Sequence, residues 1–190
     1  DQVDLVMLDY IRDRDWRKDH FKTPSVPFGE LEQLAPSKVQ VMNHHLAHAA
    51  AVFYSSTFES SAVLVVDGRG SDNETQSLFV ADSTGIRLIS STTTIGIGLL
   101  YAAVTQAVGF KLLQEGKTMG LAPFGAGVQP PVFSFPRRFD GIVTDYSASC
   151  VDGSYDLAIP YRALESFEDK ARAAYDVQME CEAAMLHLAE

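Results

Sequence analysis

The octet Asn43-His44-His45-Leu46-Ala47-His48-Ala49-Ala50 constrains the fold of this chain more than any other stretch. His44 and His48 stand four apart among strong helix formers, which puts both imidazoles on one helical face, one turn apart. Lys38 to Met42 reads as a short strand and Asn43 as a preferred N-cap. The spacing therefore predicts a strand that turns directly into a helix running to about Tyr54. His44 then falls in the first helical turn, at the strand-to-helix junction where α/β proteins commonly keep ligands. Two imidazoles are half a metal site. An i, i+4 histidine pair is more often scaffold than ligand, and the acid of the His-Glu-x-x-His zinc motif is absent, so the reading needs a third donor.

Asp67 is the candidate. It ends the apolar, β-branched run Ser61-Ala62-Val63-Leu64-Val65-Val66, whose length suits a buried strand, and it opens the turn Asp67-Gly68-Arg69-Gly70. Glycines here let the backbone turn tightly and bring N–H groups near a phosphate or other anion; a plain hairpin turn fits as well. Gln76 to Ala81 and Gly85 to Ile89 follow as strands joined through Asp82-Ser83-Thr84-Gly85, which predicts a three-stranded antiparallel meander with a polar, glycine-bearing first corner. Two imidazoles and a carboxylate form a borderline donor set that suits Fe²⁺, Zn²⁺ or Mn²⁺.

With 190 residues, 46% hydrophobic and 21% charged, the chain holds enough apolar material for one sizeable core. No apolar run approaches the roughly 18 residues of a membrane span, and no signal-type start is present, so a cytoplasmic protein without membrane contact is expected. Cys150 and Cys181 are unclustered and imply neither a disulfide framework nor a thiolate metal site. Fifteen Lys and Arg against twenty-five Asp and Glu repel nucleic-acid backbones, so no nucleic-acid partner is expected.

Val3 to Leu8 reads as the first strand. Tyr10 to Lys22 is densely charged and carries Trp16, and a short helix fits Glu30 to Leu34 before Pro36. After the meander, Gly98 to Phe110 reads as a second helix. Its entry Gly96-Ile97-Gly98 could approach a nucleotide or simply give a flexible helix start. Gln129-Pro130-Pro131 opens an irregular stretch to about Ala163, and from Ser166 an amphipathic helix carries Phe167, Ala171, Ala174, Cys181, Met185 and Leu188 on its apolar stripe.

Four ordered blocks resemble a family: His44-His45-Leu46-Ala47-His48-Ala49-Ala50, Val66-Asp67-Gly68-Arg69-Gly70, Gly98-Leu99-Leu100-Tyr101, and Glu115-Gly116-Lys117-Thr118-Met119-Gly120-Leu121-Ala122-Pro123-Phe124-Gly125. They look like the NodU/CmcH carbamoyltransferases in order and spacing. The resemblance implies transfer of a carbamoyl group from carbamoyl phosphate to a hydroxyl of a sugar, antibiotic or nodulation-type acceptor, through a carbamoyl-adenylate made with ATP. It also implies an α/β, partial actin/Hsp70-like (ASKHA) two-lobed fold with a mixed sheet, the antiparallel meander and flanking helices. Residues 1–60 would end the first lobe with the histidine helix, and 61–190 would begin the second.

The same resemblance selects Fe²⁺ for His44, His48 and Asp67, with a further aspartate from a later segment completing the sphere. A YrdC-like domain and a later Gly-Gly-containing adenosine segment are expected outside this chain, so the chain alone is expected to be inactive. Asp67, Gly68, Gly70, Gly98, Glu115 and Gly120 are the candidate substrate- and nucleotide-binding residues. His45 and Lys117 are the candidate catalytic ones. His45 points about 100° from the pair and could donate to phosphate, act as a base or merely pack. Lys117 could offset phosphate charge. Two positions depart from the family pattern: Thr94-Ile95 stand where Pro-His is common, and Ser71 where a glutamate follows the glycine turn. The alternatives are a non-catalytic nucleotide- or metal-binding fragment and a tRNA threonylcarbamoyl-transfer protein. Ala47 before His48 favours the carbamoyltransferase branch over the latter.

Overall fold

The computed structural model describes residues 4–9, 38–128, 134–150 and 164–190. The charged stretch around Trp16 and the helix expected at Glu30 to Leu34 lie outside the described residues.

Strand β1, Val6–Asp9, pairs parallel with β2, Val39–Met42, in register Val6 to Val39. Helix α1, His44–Ser55, follows at once because the Asn43 side chain accepts the Leu46 N–H at 3.0 Å and satisfies one of the unpaired donors of the first turn. The meander is as expected. Strands β3, Ser61–Val66, β4, Gln76–Asp82, and β5, Gly85–Thr92, pair antiparallel in sequence order, with a register shift at Leu78/Phe79.

The mixed sheet expected from the resemblance is not what forms among the described residues. The parallel pair, the meander and a third small sheet are hydrogen-bonded separately. That third sheet is the hairpin of β6, Arg138–Asp140, and β7, Val143–Asp145, within the stretch read as irregular. Its two-residue connection starts at Gly141, whose φ of 57° is one that residues with a Cβ rarely adopt.

Helix α2, Ile97–Ala107, stops before Gly109, and α3, Glu115–Leu121, runs into a 3-10 turn at Ala122–Gly125. The Gly120 to Pro123 segment is therefore the end of a short helix and the start of that turn. Helix α4, Phe167–Ala189, opens on a reciprocal Ser166/Asp169 capping box. Its buried face differs from the expected stripe. Ala171, Ala174, Val177 and Ala184 are inside, but so are Arg172 and Glu180, whereas Phe167 is 62% and Met185 41% exposed. Arg172 reaches Asp176 at 2.8 Å and the Val128 carbonyl; Glu180 accepts from Arg137 and from the Tyr146 hydroxyl. Paired this way, the charges tolerate burial.

Among the described residues the apolar interior has two parts. Ala49 and Phe53 of α1 pack with Val63, Val65, Phe79 and Ala81 of the meander, while Ile97, Leu100 and Val104 of α2 pack with Ala173 and Val177 of α4 and with Tyr146. Each large side chain removed from water contributes about 1.5–3 kcal/mol. The first cluster fastens α1 onto the meander and so sets where its histidines face. A polar seam joins the two halves. The buried Gln76 amide donates to the Thr144 hydroxyl, Thr94 Oγ1 donates to Thr144 O at 3.1 Å, and Tyr146 N donates to Ile95 O at 2.8 Å.

Candidate metal centre

The loop after β3 meets the first turn of α1. Asp67 keeps its backbone in place by donating its N–H to Thr75 O at 2.9 Å, and its Oδ1 accepts the Gly68 N–H at 2.6 Å. This leaves Oδ2 aimed at the helix. His44 Nε2 lies 2.6 Å from it and His48 Nε2 3.9 Å, and the two ring nitrogens are 3.1 Å apart. Helical spacing brings the imidazoles together, and the end of β3 supplies the acid.

These atoms fit a divalent ion. Donors at about 2.1 Å from a metal are about 3.0 Å apart when cis in an octahedron and about 3.4 Å apart in a tetrahedron, values that the observed separations straddle. The ring chemistry agrees. A single His44 Nε2–H cannot point along both the contact to Asp67 and the contact to His48, so without an ion one close contact lacks a well-aimed proton. The three side chains are 27%, 53% and 33% exposed, for His44, His48 and Asp67, which leaves coordination positions open to a ligand. His48 and Asp67 form the polar end of an open groove of about 280 Å³ walled by Val52 and β3. No other grouping of three such donors lies close enough to hold an ion among the described residues.

The glycine turn works differently from the anion cradle that its sequence suggests. The Gly68 N–H is given to Asp67 Oδ1, and the Gly70 N–H to Glu74 O at 2.7 Å, so neither amide is free for a phosphate. Gly70 is instead a space requirement, since a Cβ there would lie 2.5 Å from the Glu74 carboxyl and 2.8 Å from the His45 ring. Gly98 has the same character: its Cβ would meet Asp67 O at 2.7 Å, so the first turn of α2 presses against the backbone that presents the candidate ligand. Ser71, which follows the glycine turn, accepts the His44 N–H at 2.8 Å and holds the loop on α1.

His45 sits beneath the centre and is 0% exposed, with Nδ1 2.7 Å from Ser77 Oγ. Burial pushes its pKa down, against the pull of the Glu74 and Asp67 carboxylates, so the neutral ring is favoured. The ring expected as catalytic is thus closed off from solvent and held on Ser77. Lys117 and Glu115 are on α3, which packs on α2 and α4. The Lys117 ammonium stands 5.8 Å over the Phe110 ring, and Glu115 Oε1 accepts the Leu113 N–H at 3.3 Å. Gly120 is exposed with open space around its Cα. No hydrogen bond or ion pair among the described residues joins these three to the histidine and aspartate cluster. Sequence reasoning missed Glu74, which binds the loop to α1; an acid in a polar loop carries no periodic signal of burial.

Residues 4–133 match the family described as Carbamoyltransferase N-terminus. The chain is 36% identical over 94 residues to Nodulation protein NolNO of Sinorhizobium fredii, covering 49% of this chain and 14% of the relative. It is 39% identical over 85 residues to Nodulation protein NolO of Bradyrhizobium diazoefficiens, 44% of this chain and 15% of the relative. An uncharacterized Synechocystis protein is 34% identical over 125 residues, 62% of this chain and 18% of that protein. The matched part thus spans less than a fifth of each of these relatives. The resemblance read from the four sequence blocks is borne out, and the chain belongs to the carbamoyltransferase N-terminal family.

Proposed function

We propose that this chain is the metal-holding part of an O-carbamoyltransferase that passes a carbamoyl group, through carbamoyl-adenylate made from carbamoyl phosphate and ATP, to a hydroxyl of a small-molecule acceptor. The observation that carries this reading is the convergence of His44 Nε2, His48 Nε2 and Asp67 Oδ2 in a member of this family. Fe²⁺ is the ion that the resemblance favours, and the mixed nitrogen and oxygen donor set accepts it. Bound there, a divalent ion supplies positive charge to a phosphate or carbamoyl oxygen.

The protein's own part is positioning. His44 and His48 hold their rings on one helical face, Asp67 is fixed by its backbone bond to Thr75, and the apolar wall of β3 and Val52 lines one side of the groove. Groups fixed in advance at the place where charge develops need no reorganisation during reaction. His45 stays neutral beneath the site and supports α1. Lys117, Glu115 and Gly120 belong to α3, and their approach to the nucleotide would depend on substrate and on segments beyond this chain.

The same reading carries the two-lobed actin/Hsp70-like arrangement, with lobes meeting near residue 60, a YrdC-like domain in the whole protein and a cytoplasmic location. The core that α1 shares with the meander crosses residue 60, so the lobes would be in close contact there. Among the described residues no helix is long and apolar enough to cross a membrane.

The test is an assay of the full-length protein, loaded with Fe²⁺ under anaerobic conditions, with ATP, carbamoyl phosphate and a panel of sugar and other hydroxyl acceptors. Formation of carbamoyl-adenylate and of a carbamoylated acceptor is the expected result. Absence of both products across the panel would overturn the assignment.

A further inference from the structure

One buried acid joins the loop that carries Asp67 to the helix that carries His44. Glu74 is 5% exposed, and a carboxylate so placed is costly unless its oxygens are bonded. Both are. Oε1 accepts Asn43 Nδ2 at 2.7 Å, and Oε2 accepts the Asp72 N–H at 2.6 Å. Asn43 is the N-cap of α1 and the neighbour of His44; the residue after Glu74, Thr75, accepts the Asp67 N–H at 2.9 Å. Glu74 thus touches His44 and Asp67 through one covalent neighbour on each side. The loop is shaped around it, because Gly70 leaves the space in which its carboxyl lies and gives its own N–H to Glu74 O at 2.7 Å. Asn73, with φ 65°, turns the chain back at this point.

We propose that Glu74 is a positioning residue of the metal centre: through Asn43 its carboxylate fixes the first turn of α1 against the Asp67 loop and so presets the separation of His44 from Asp67. This rests on the metal-centre reading above. A carboxylate, rather than an amide, suits the position because two donors converge on it from different sides. A glutamine of the same shape has one acceptor oxygen and turns its NH₂ toward the other donor. Groups that orient metal ligands in this way typically change affinity by about 10–100-fold when altered.

The test titrates Co²⁺, whose visible absorption reports its ligands, into the full-length protein and its His44→Ala, Glu74→Gln, Asn43→Ser and Asn43→Ser/Glu74→Gln variants, well below their melting temperatures. Serine keeps the cap to Leu46 N while removing the amide that donates to Glu74. The expected result is loss of binding in His44→Ala and about 10–100-fold weaker binding in each of the other single variants, with unchanged stoichiometry at saturation. The double variant should be no weaker than the weaker single one. Wild-type affinity in Glu74→Gln with a lowered melting temperature would mark a merely structural acid and overturn the proposal while leaving the metal centre intact. Losses that multiply in the double variant would overturn the route through Asn43. Wild-type binding in His44→Ala would overturn the metal centre itself, and the role of Glu74 with it. Should Glu74→Gln not fold, Asn43→Ser decides alone: unchanged affinity there refutes the proposal.

Discussion

Replacing Gly98 by alanine tests whether the start of α2 is held against the candidate ligand. In an ordinary helix this change is stabilising by about 0.5–1 kcal/mol, because glycine loses more backbone freedom on folding. Here a Cβ would lie 2.7 Å from Asp67 O, 2.8 Å from Asp67 C and 3.0 Å from Gly68 N, whereas ordinary contact begins at 3.4 Å. These are backbone atoms that cannot swing aside, so α2 or the Asp67 peptide must move by several tenths of an ångström. Forcing a methyl into a packed place costs about 1–3 kcal/mol, which set against the helical gain leaves a net loss of about 0–2.5 kcal/mol in place of the usual stabilisation. Asp67 Oδ2 is 2.6 Å from His44 Nε2, so the same shift would disturb the donor geometry and weaken metal binding. Gly116→Ala in α3 is the matched control. No atom lies within 4 Å of its Cβ, and it should gain about 0.5–1 kcal/mol. Urea denaturation of both variants gives the signs, and a Co²⁺ titration gives the second effect. A Gly98→Ala protein as stabilised as Gly116→Ala, with unchanged metal affinity, would refute the packing argument.

Three further outcomes are expected. His45→Ala leaves Ser77 Oγ without its buried partner and should cost about 1–3 kcal/mol in denaturant while keeping one ion per chain; retained stability would show that the ring is not a structural member of the core. Burial pushes the Tyr101 hydroxyl up to about 12 from an ordinary value of 10.0, so its folded pKa lies above its unfolded one. That contribution is complete below pH 10 and is lost as pH rises toward 12, at up to about 1.4 kcal/mol per pH unit. Tyr101→Phe should flatten the alkaline fall in denaturation free energy, and an unchanged slope would contradict the assignment. Saturation with Fe²⁺ at about 100 times its dissociation constant should stabilise the protein by about 2.7 kcal/mol, and His44→Ala should show no such shift in thermal melting.

The meander and α1 were legible because local signals agree with tertiary needs. Ser61 to Val66 is short, β-branched and bounded by turn residues, and Asn43 caps α1 where a polar N-cap was expected. The β6–β7 hairpin was missed although Asp140-Gly141 carries a turn signal, because strands of three residues show too little alternation to register. The stripe of α4 failed at both ends for a different reason. Phe167 stays at the surface against Phe124, while the inward positions of Arg172 and Glu180 depend on partners from distant segments. At the centre, the His44 and His48 spacing is a helical property and can be read from sequence. The distances to Asp67, the engagement of the Gly68 and Gly70 amides, and the part played by Glu74 depend on how a loop folds over a helix start, and no periodicity encodes that.

On the proposed function, His44, His48 and Asp67 hold the ion on which carbamoyl transfer depends. The most direct test of this is iron content measured beside turnover in the full-length protein and in His48→Ala, since His48 is the most exposed of the three at 53% and its removal disturbs packing least. The expected result is one bound Fe²⁺ per chain in the wild type, at least about tenfold weaker binding in the variant, a parallel loss of transfer and a nearly unchanged apo-protein melting temperature. Normal iron content and normal turnover in His48→Ala, with an early melt, would make the histidines scaffold and overturn the metal centre.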